Sequence, residues 1–336
     1  MGVFSMTKDS VFLPVPLPPA VHDALVSRFD LIRLYEASDR DGLIAKVAPT
    51  LRLMATALPN IADGVKHPIT ADFLAKFPKL EIVSNIGVGY DNIDAVAAAN
   101  QGVIVTNTPD VLTDETADTA LGLLLSATRQ LPQADRYLRE GKWLQDAFPL
   151  TASLRNRTMG IVGLGRIGKA IAKRGDAFGL KIIYHSRSKQ DVAYPYFDKL
   201  EEMARACDIL VVATPGSPQT NKLIDARILD ALGPDGILIN IARGSVVDED
   251  ALITALKERR ILTAGLDVFA KEPQVPAELI AMPHIVLLPH VGSATHSTRA
   301  AMGQLMVDNL IAYAAGKGPL TPVAETPWPK VTKKAN

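Results

Sequence analysis

The sequence predicts an α/β protein built from two doubly wound parallel-sheet domains, and three observations lead there. Short apolar runs bounded by turn residues alternate with longer amphipathic segments, the pattern of strands and crossover helices in a parallel sheet. The 336 residues exceed one ordinary domain of roughly 100–200 residues. The apolar runs also fall into two series, one in the N-terminal third and a more regular one from Thr158 onward.

The first series contains four strand candidates, "DLIRLYEA", "LRLMATA", "LEIVSNIG" and "VIVTNT", enough for a small sheet. Next comes "TDETADTALGLLLSATRQL", read as a long apolar-faced helix with Thr113 or Asp114 as its N-cap and expected to join the domains. The second series runs "TMGIVGLG", "KIIYHS", "DILVVAT", "GILINIA", "TAGLDVF" and "HIVLLPH", and six strands suit a complete doubly wound sheet. A last helix, "STRAAMGQLMVDNLIAYAAG", ends at Gly316 before a proline-rich tail. No internal repeat of solenoid period occurs.

Lys plus Arg and Asp plus Glu number 36 each, and no block of like charge stands out. That balance argues against a nucleic-acid partner or a membrane surface. The single cysteine, Cys207, excludes an internal disulfide framework; placed before the apolar run of "ARACDILVVAT", it is expected to be a small buried residue rather than a catalytic thiol. The opening "MGVFSMTKDSVFLPVPLPPA" lacks a long apolar core and a cationic leader, so it is not read as a signal peptide. No window approaches the roughly 18 apolar residues of a membrane span. A cytoplasmic location is expected, and no residue is assigned to a metal.

"GIVGLGRIGKAIAKR" places Gly163, Gly165 and Gly168 in G-x-G-x-x-G spacing directly after an apolar strand and at the start of an amphipathic helix. That context turns a weak pattern into a dinucleotide-binding turn of the Rossmann kind. Gly163 permits the tight turn, Gly165 the approach of a pyrophosphate, and Gly168 close packing of helix on strand. About 20 residues further on, where an acidic residue often reads the adenosine ribose, stand Ser186, Arg187 and Ser188. Arg187 cannot accept from a 2′-hydroxyl but can bind a 2′-phosphate, and the flanking hydroxyls can add donors. NADPH is therefore expected as the cofactor, with NADH weaker; the bland alternative is a solvated surface turn.

Three polar signals stand at strand ends: Arg243 in "NIARGSVVDED", Asp267 and Glu272 in "GLDVFAKEP", and His290 in "LLPHVGSATH". Ligands of such sheets bind beyond the carboxyl ends of the strands, so these segments should face a cofactor crevice. Singly, each residue has an ordinary explanation as a surface charge, a helix-end residue or a loop histidine. Together with the glycine turn they form a reductase constellation.

The motifs "NIGVGYDNID", "VTNTPDVLTDETAD", "GIVGLGRIG", "INIARGSVVDEDAL", "GLDVFAKEP" and "LLPHVGSAT", in this order, resemble those of the D-isomer-specific 2-hydroxyacid dehydrogenases, most closely the glyoxylate/hydroxypyruvate reductase branch. The resemblance spans nearly the whole chain. It implies NADPH-dependent reduction of a small 2-oxo acid to the D-2-hydroxy acid. His290 would donate the proton, Glu272 would hold the imidazole in its charged form, and Arg243 would clamp the carboxylate through its planar fork of donors. The N–H groups of Val88 and Gly89 would bind the carboxylate from the other domain. Cofactor contacts would come from the 163–168 turn, including Leu164, Arg166 and Ile167, from Ser186, Arg187 and Ser188, and from Thr214, Pro215, Ile241, Asp267, His290 and Gly292.

The resemblance further implies a discontinuous, smaller flavodoxin-like substrate domain, residues 1–109 and 291–336, with the Rossmann domain of residues 110–290 inserted into it. It also implies a homodimer formed largely through the nucleotide domain, in which Trp143 of "REGKW" reaches the partner's substrate pocket. No regulatory extension of the kind found in some phosphoglycerate dehydrogenases follows the last helix. "YHSRS" and "PDVLTDETAD" are equally at home in hydroxyphenylpyruvate reductases, which stay open as an alternative. A dinucleotide-sensing corepressor is a further one, since that relative keeps the same arginine, glutamate and histidine.

Overall fold

The computed structural model describes residues 8–57 and 68–329. The first seven residues of the opening segment and the last seven of the proline-rich tail lie outside the described residues. The chain folds as two compact units, one running to Leu112 and resuming at Thr295, the other spanning Thr113–Ala294. These changeovers fall a few residues after those expected at 109 and 290.

The first unit holds a five-stranded sheet of β1 (Ser10–Leu13), β2 (Asp30–Arg33), β3 (Leu53–Ala57), β4 (Ile82–Ile86) and β5 (Ile104–Thr106). All pairings are parallel and the order is β2-β1-β3-β4-β5, the flavodoxin-like arrangement. β1 was not among the four expected strands; it is four residues long and is followed at once by Pro14 and Pro16, which mask its pattern. The segment "DLIRLYEA" is also split, its second half turning as a 3-10 helix over Leu34–Glu36. Phe12, Met54, Val83 and Val105 join one core on one side of this sheet. On the other side Ser84 donates to the carbonyl of Met306 at 3.1 Å, tying β4 to the helix His296–Ala314.

The second unit holds β6 (Thr158–Val162), β7 (Lys181–His185), β8 (Ile209–Val212), β9 (Ile237–Asn240), β10 (Thr263–Leu266) and β11 (Val286–Leu287). They pair in parallel in the order β11-β10-β9-β8-β6-β7, and an isolated parallel bridge from Tyr184 to Tyr196 extends the β7 edge. The strand order therefore reverses between β6 and β8, and ligands of doubly wound sheets bind at such a switch point. Both faces are covered: Leu210 and Val212 of β8 join one hydrophobic core while Ile209 and Val211 join the other, as a side-chain period of two requires. Each fully buried aliphatic side chain contributes roughly 1.5–3 kcal/mol, so the strand ends that carry the polar residues stand on a rigid base.

The helix expected after residue 112 runs Thr113–Arg129. Thr113 and Asp114 lie within its first turn, one step later than the N-cap role assigned to them. There Asp114 favours the positive helix end and pairs with Arg174 at 3.0 Å. Cys207 is buried, 7% exposed, and burial pushes its thiol up to about 12. Among the described residues no helix is long and apolar enough to cross a membrane, and no cluster of His, Cys, Asp and Glu could hold a metal ion.

Candidate active site

β6 runs into Gly163, whose φ is +96° and whose added Cβ would stand 2.8 Å from the backbone nitrogen of Thr214. Only glycine tolerates both that conformation and that approach. A Cβ on Gly168 would meet the Gly163 carbonyl oxygen at 2.1 Å, so the helix Arg166–Ala177 lies directly on the turn. Gly165 differs, since a Cβ there would meet nothing within 4 Å. The turn is thus closed toward the protein and open at Gly165, a cradle that suits a pyrophosphate at a helix N-terminus. Leu164 and Ile241 are buried in the core, which leaves their backbone as what they can offer a dinucleotide, whereas Arg166 and Pro215 are exposed.

Beyond β7 the "SRS" loop is ordered by its own hydrogen bonds. Ser186 Oγ donates to the Ser188 carbonyl at 2.7 Å, Tyr196 donates to the Ser186 carbonyl at 3.3 Å, and Gln190 Nε2 donates to the Ser188 carbonyl at 3.1 Å. Of the two hydroxyls expected to add donors beside Arg187, that of Ser186 is therefore turned inward. Among the described residues Ser188 Oγ only accepts, from Gln190 Nε2 at 3.4 Å, so its proton stays available. Arg187 is exposed, and no carboxylate among the described residues pairs with it.

Asp267, Glu272 and His290 come together at the ends of β10 and β11. His290 occupies the left-handed region at φ +55°, which few residues other than glycine adopt. Asp267 holds it there. The Asp267 carbonyl accepts from the His290 N–H at 2.8 Å, and its carboxylate accepts from the N–H groups of Val291 at 2.7 Å and Gly292 at 2.8 Å. Burial pushes the Asp267 carboxyl up, against the pull of those two N–H groups. This carboxylate was expected to face the cofactor; both its oxygens serve the 290–292 turn.

His290 Nδ1 and Glu272 Oε2 are 2.8 Å apart, and Glu272 Oε1 accepts from the Phe269 N–H at 3.0 Å. Burial raises the Glu272 carboxyl, but His290, the Phe269 N–H and the Arg243 charge outweigh it and hold the carboxyl below the ordinary range. Arg243 follows β9, where Asn240 grips the bend by donating to the Arg243 carbonyl at 3.0 Å and accepting from the Ala242 N–H at 3.1 Å. Arg243 Nη1 donates to the Ala242 carbonyl at 2.7 Å. Sequence reasoning did not single out Asn240 or Val291, although both stand inside quoted motifs beside the predicted residues.

Val88 and Gly89 belong to the first unit, on the turn that leaves β4, and both are half-buried. Trp143 lies in the short 3-10 segment Lys142–Leu144 of the second unit, 67% exposed.

Residues 121–292 match the model of the D-isomer specific 2-hydroxyacid dehydrogenase NAD binding domain. The chain is 45% identical to a glyoxylate/hydroxypyruvate reductase A of Arabidopsis thaliana, over 95% of this chain and 100% of that one. It is 44% identical to a hydroxyphenylpyruvate reductase of Plectranthus scutellarioides, again over 95% of this chain and 100% of the other. Among solved structures, an NADPH-dependent glyoxylate/hydroxypyruvate reductase from Sinorhizobium meliloti in complex with NADP and malonate superposes with a TM-score of 0.89 at 46% identity, covering 97% of this chain and 99% of that one.

Proposed function

Because the chain belongs to the D-isomer specific 2-hydroxyacid dehydrogenases, we propose that it reduces a small 2-oxo acid, glyoxylate or hydroxypyruvate, to the D-2-hydroxy acid with NADPH. One observation carries the reading: an imidazole held at a strained backbone position, its Nδ1 against a carboxylate kept ionised and its other nitrogen left for a substrate. Such an imidazole is a general acid for a carbonyl oxygen.

The turn at 163–168 fits a dinucleotide, with Thr214, Pro215 and the backbone of Ile241 along the same strand ends. When bound, NADPH supplies a hydride to the carbonyl carbon. His290 Nε2 gives its proton to the carbonyl oxygen, and Glu272 stabilises the imidazolium beforehand. Arg243 binds the substrate carboxylate and offsets the developing charge. On the first unit, the N–H groups of Val88 and Gly89 offer two donors for a carboxylate. Asp267 positions the turn that carries His290 and Gly292.

Preference for NADPH over NADH rests on Arg187, exposed and without a carboxylate partner among the described residues, and on the Ser188 hydroxyl. The homodimer rests on apolar surface that one copy leaves bare. Leu150, 100% exposed, lines a groove with Leu131, Ala134 and Phe148, and Trp143 and Leu144, a few residues earlier in the chain, are 67% and 92% exposed; large apolar side chains left bare in this way suit an interface. In that dimer Trp143 reaches the partner's substrate pocket. A cytoplasmic location accords with the sole cysteine being a buried free thiol.

Initial rates with glyoxylate, hydroxypyruvate, pyruvate and 4-hydroxyphenylpyruvate, each with NADPH and NADH, test the reading. Highest kcat/KM is expected for glyoxylate or hydroxypyruvate with NADPH. Highest kcat/KM for 4-hydroxyphenylpyruvate would favour the second reading, which the identity to the Plectranthus scutellarioides enzyme supports.

A further inference from the structure

The turn that leaves β4 is held in an unusual way. Its carbonyls are all occupied: Gly87 accepts from the Thr108 N–H at 2.9 Å, Val88 from Asn107 Nδ2 at 2.8 Å, and Gly89 from Asn85 Nδ2 at 3.1 Å. The Gly87 N–H is occupied as well, donating to Thr108 Oγ1 at 3.0 Å. The N–H groups of Val88 and Gly89 meet no acceptor among the described residues. A peptide plane whose oxygen is tied inward has its N–H turned the other way, so tying each carbonyl aims two consecutive donors outward.

Asn107 is the part of this clamp anchored most deeply. It directly follows β5, which pairs in parallel with β4 through Ser84 and Thr106, so the two strand ends lie side by side. Its own carbonyl accepts from Thr321 Oγ1 at 2.6 Å. Thr321 is in turn gripped by the buried Asn309, whose Oδ1 accepts from the Thr321 N–H at 3.0 Å and whose Nδ2 donates to Thr321 Oγ1 at 2.9 Å.

We infer that Asn107 is a positioning residue for substrate capture, holding the Val88 carbonyl so that the Gly89 N–H, in the same peptide plane, stays aimed at a carboxylate, as the Thr108 N–H on the Gly87 carbonyl does for the Val88 N–H. This rests on the reading of that turn as a carboxylate site, and the experiment separates the two. The chain contains three Val–Gly pairs, Val88–Gly89, Val162–Gly163 and Val291–Gly292. Labelling valine carbonyls with 13C and glycine nitrogens with 15N therefore isolates the Gly89 amide among three resonances, in the full-length protein saturated with NADPH. Oxalate, an unreactive dicarboxylate, is then titrated into the wild type and into Asn107→Leu, which keeps the side-chain size and loses the donor. Asn107→Ala carries the same expectation should the leucine not be accommodated.

In the wild type the Gly89 resonance should shift on adding oxalate. In the variant it should already be displaced without oxalate, and oxalate should bind about tenfold more weakly, the loss of one oriented hydrogen bond. The KM for glyoxylate should rise by about the same factor while that for NADPH stays within about twofold. Unchanged oxalate affinity in the variant would overturn the positioning role. So would equal weakening of oxalate and NADPH, or failure of both variants to fold, since either would make Asn107 a residue of stability alone. A wild-type Gly89 resonance unmoved by inhibitory oxalate would instead remove the turn as the carboxylate site, and the inference with it.

Discussion

His290 Nδ1 lies 2.8 Å from Glu272 Oε2, while His290 itself sits at φ +55°. The carboxylate fixes one ring nitrogen and the backbone fixes where the ring starts. Nε2 makes no hydrogen bond to the described residues and remains for chemistry. A base or acid must first be placed and only then tuned, and in the proposed reaction separate residues do the two jobs.

Glu272→Gln tests the tuning. The proposed reduction takes a proton from the imidazole, which loses its anionic partner in the variant, so kcat should fall well beyond any change in the KM for NADPH. The sign for stability follows from the lowered Glu272 carboxyl. Its stabilising contribution is present above the ordinary carboxylate range and is lost as pH falls through its own lower value. Thermal unfolding at several pH values should therefore show the difference between wild type and variant shrinking as the solution is acidified. A kcat equal to that of the wild type would make Glu272 a structural residue.

Asp267→Ala tests the placing. The variant strands the N–H groups of Val291 and Gly292, each worth about 1–3 kcal/mol when buried and unpaired. Denaturant unfolding should show a loss of roughly 2–4 kcal/mol, somewhat below the sum because water can reach a loosened turn. At temperatures where the variant is folded, kcat should still fall by at least about tenfold, because only the backbone bond from the His290 N–H to the residue 267 carbonyl then holds the histidine in its left-handed conformation. Full activity in the folded variant would mean that the histidine needs no such support.

Arg187→Ala tests cofactor choice. One charge-assisted hydrogen bond is worth about 1.5–3 kcal/mol, so the KM for NADPH should rise roughly ten- to a hundredfold. The KM for NADH should hardly change, since it has no 2′-phosphate to lose. Ser188→Ala should add a smaller penalty of the same kind and Ser186→Ala almost none, because only the Ser188 proton is available. Equal weakening of both cofactors would reduce the loop to a solvated turn.

Association is tested by Leu144→Glu combined with Leu150→Glu. Both side chains are almost wholly exposed in a single copy, so the monomer should tolerate the charges while an apolar interface should not. Sedimentation velocity should shift from a dimer to a monomer of 36.0 kDa. An unaltered dimer would place its interface elsewhere.

Much of the protein was legible in one dimension. Strands of a parallel sheet covered on both faces read as unbroken apolar runs, so "DILVVAT" and "GILINIA" announced β8 and β9, whereas the four residues of β1 before Pro14 did not. The glycine spacing marked the close turn from β6 into its helix because turn, close approach and helix packing are all local events. Arg243, Glu272 and His290 could be named because each stands in a distinctive segment at a strand end.

What the tertiary structure alone decided are the pairings between those segments. Glu272 meets His290 across 18 residues, Asn107 reaches Val88 across 19, and Asp267 spans 24 to the Val291 N–H. No pattern in the chain marks these partners, because a carboxylate or an amide finds suitable hydrogen-bond partners throughout any sequence. The register of parallel strands singles them out, bringing the ends of β4 and β5, and of β10 and β11, side by side. Residue type therefore determined which groups were capable of the chemistry, and strand register determined which of them stand within 3 Å of each other.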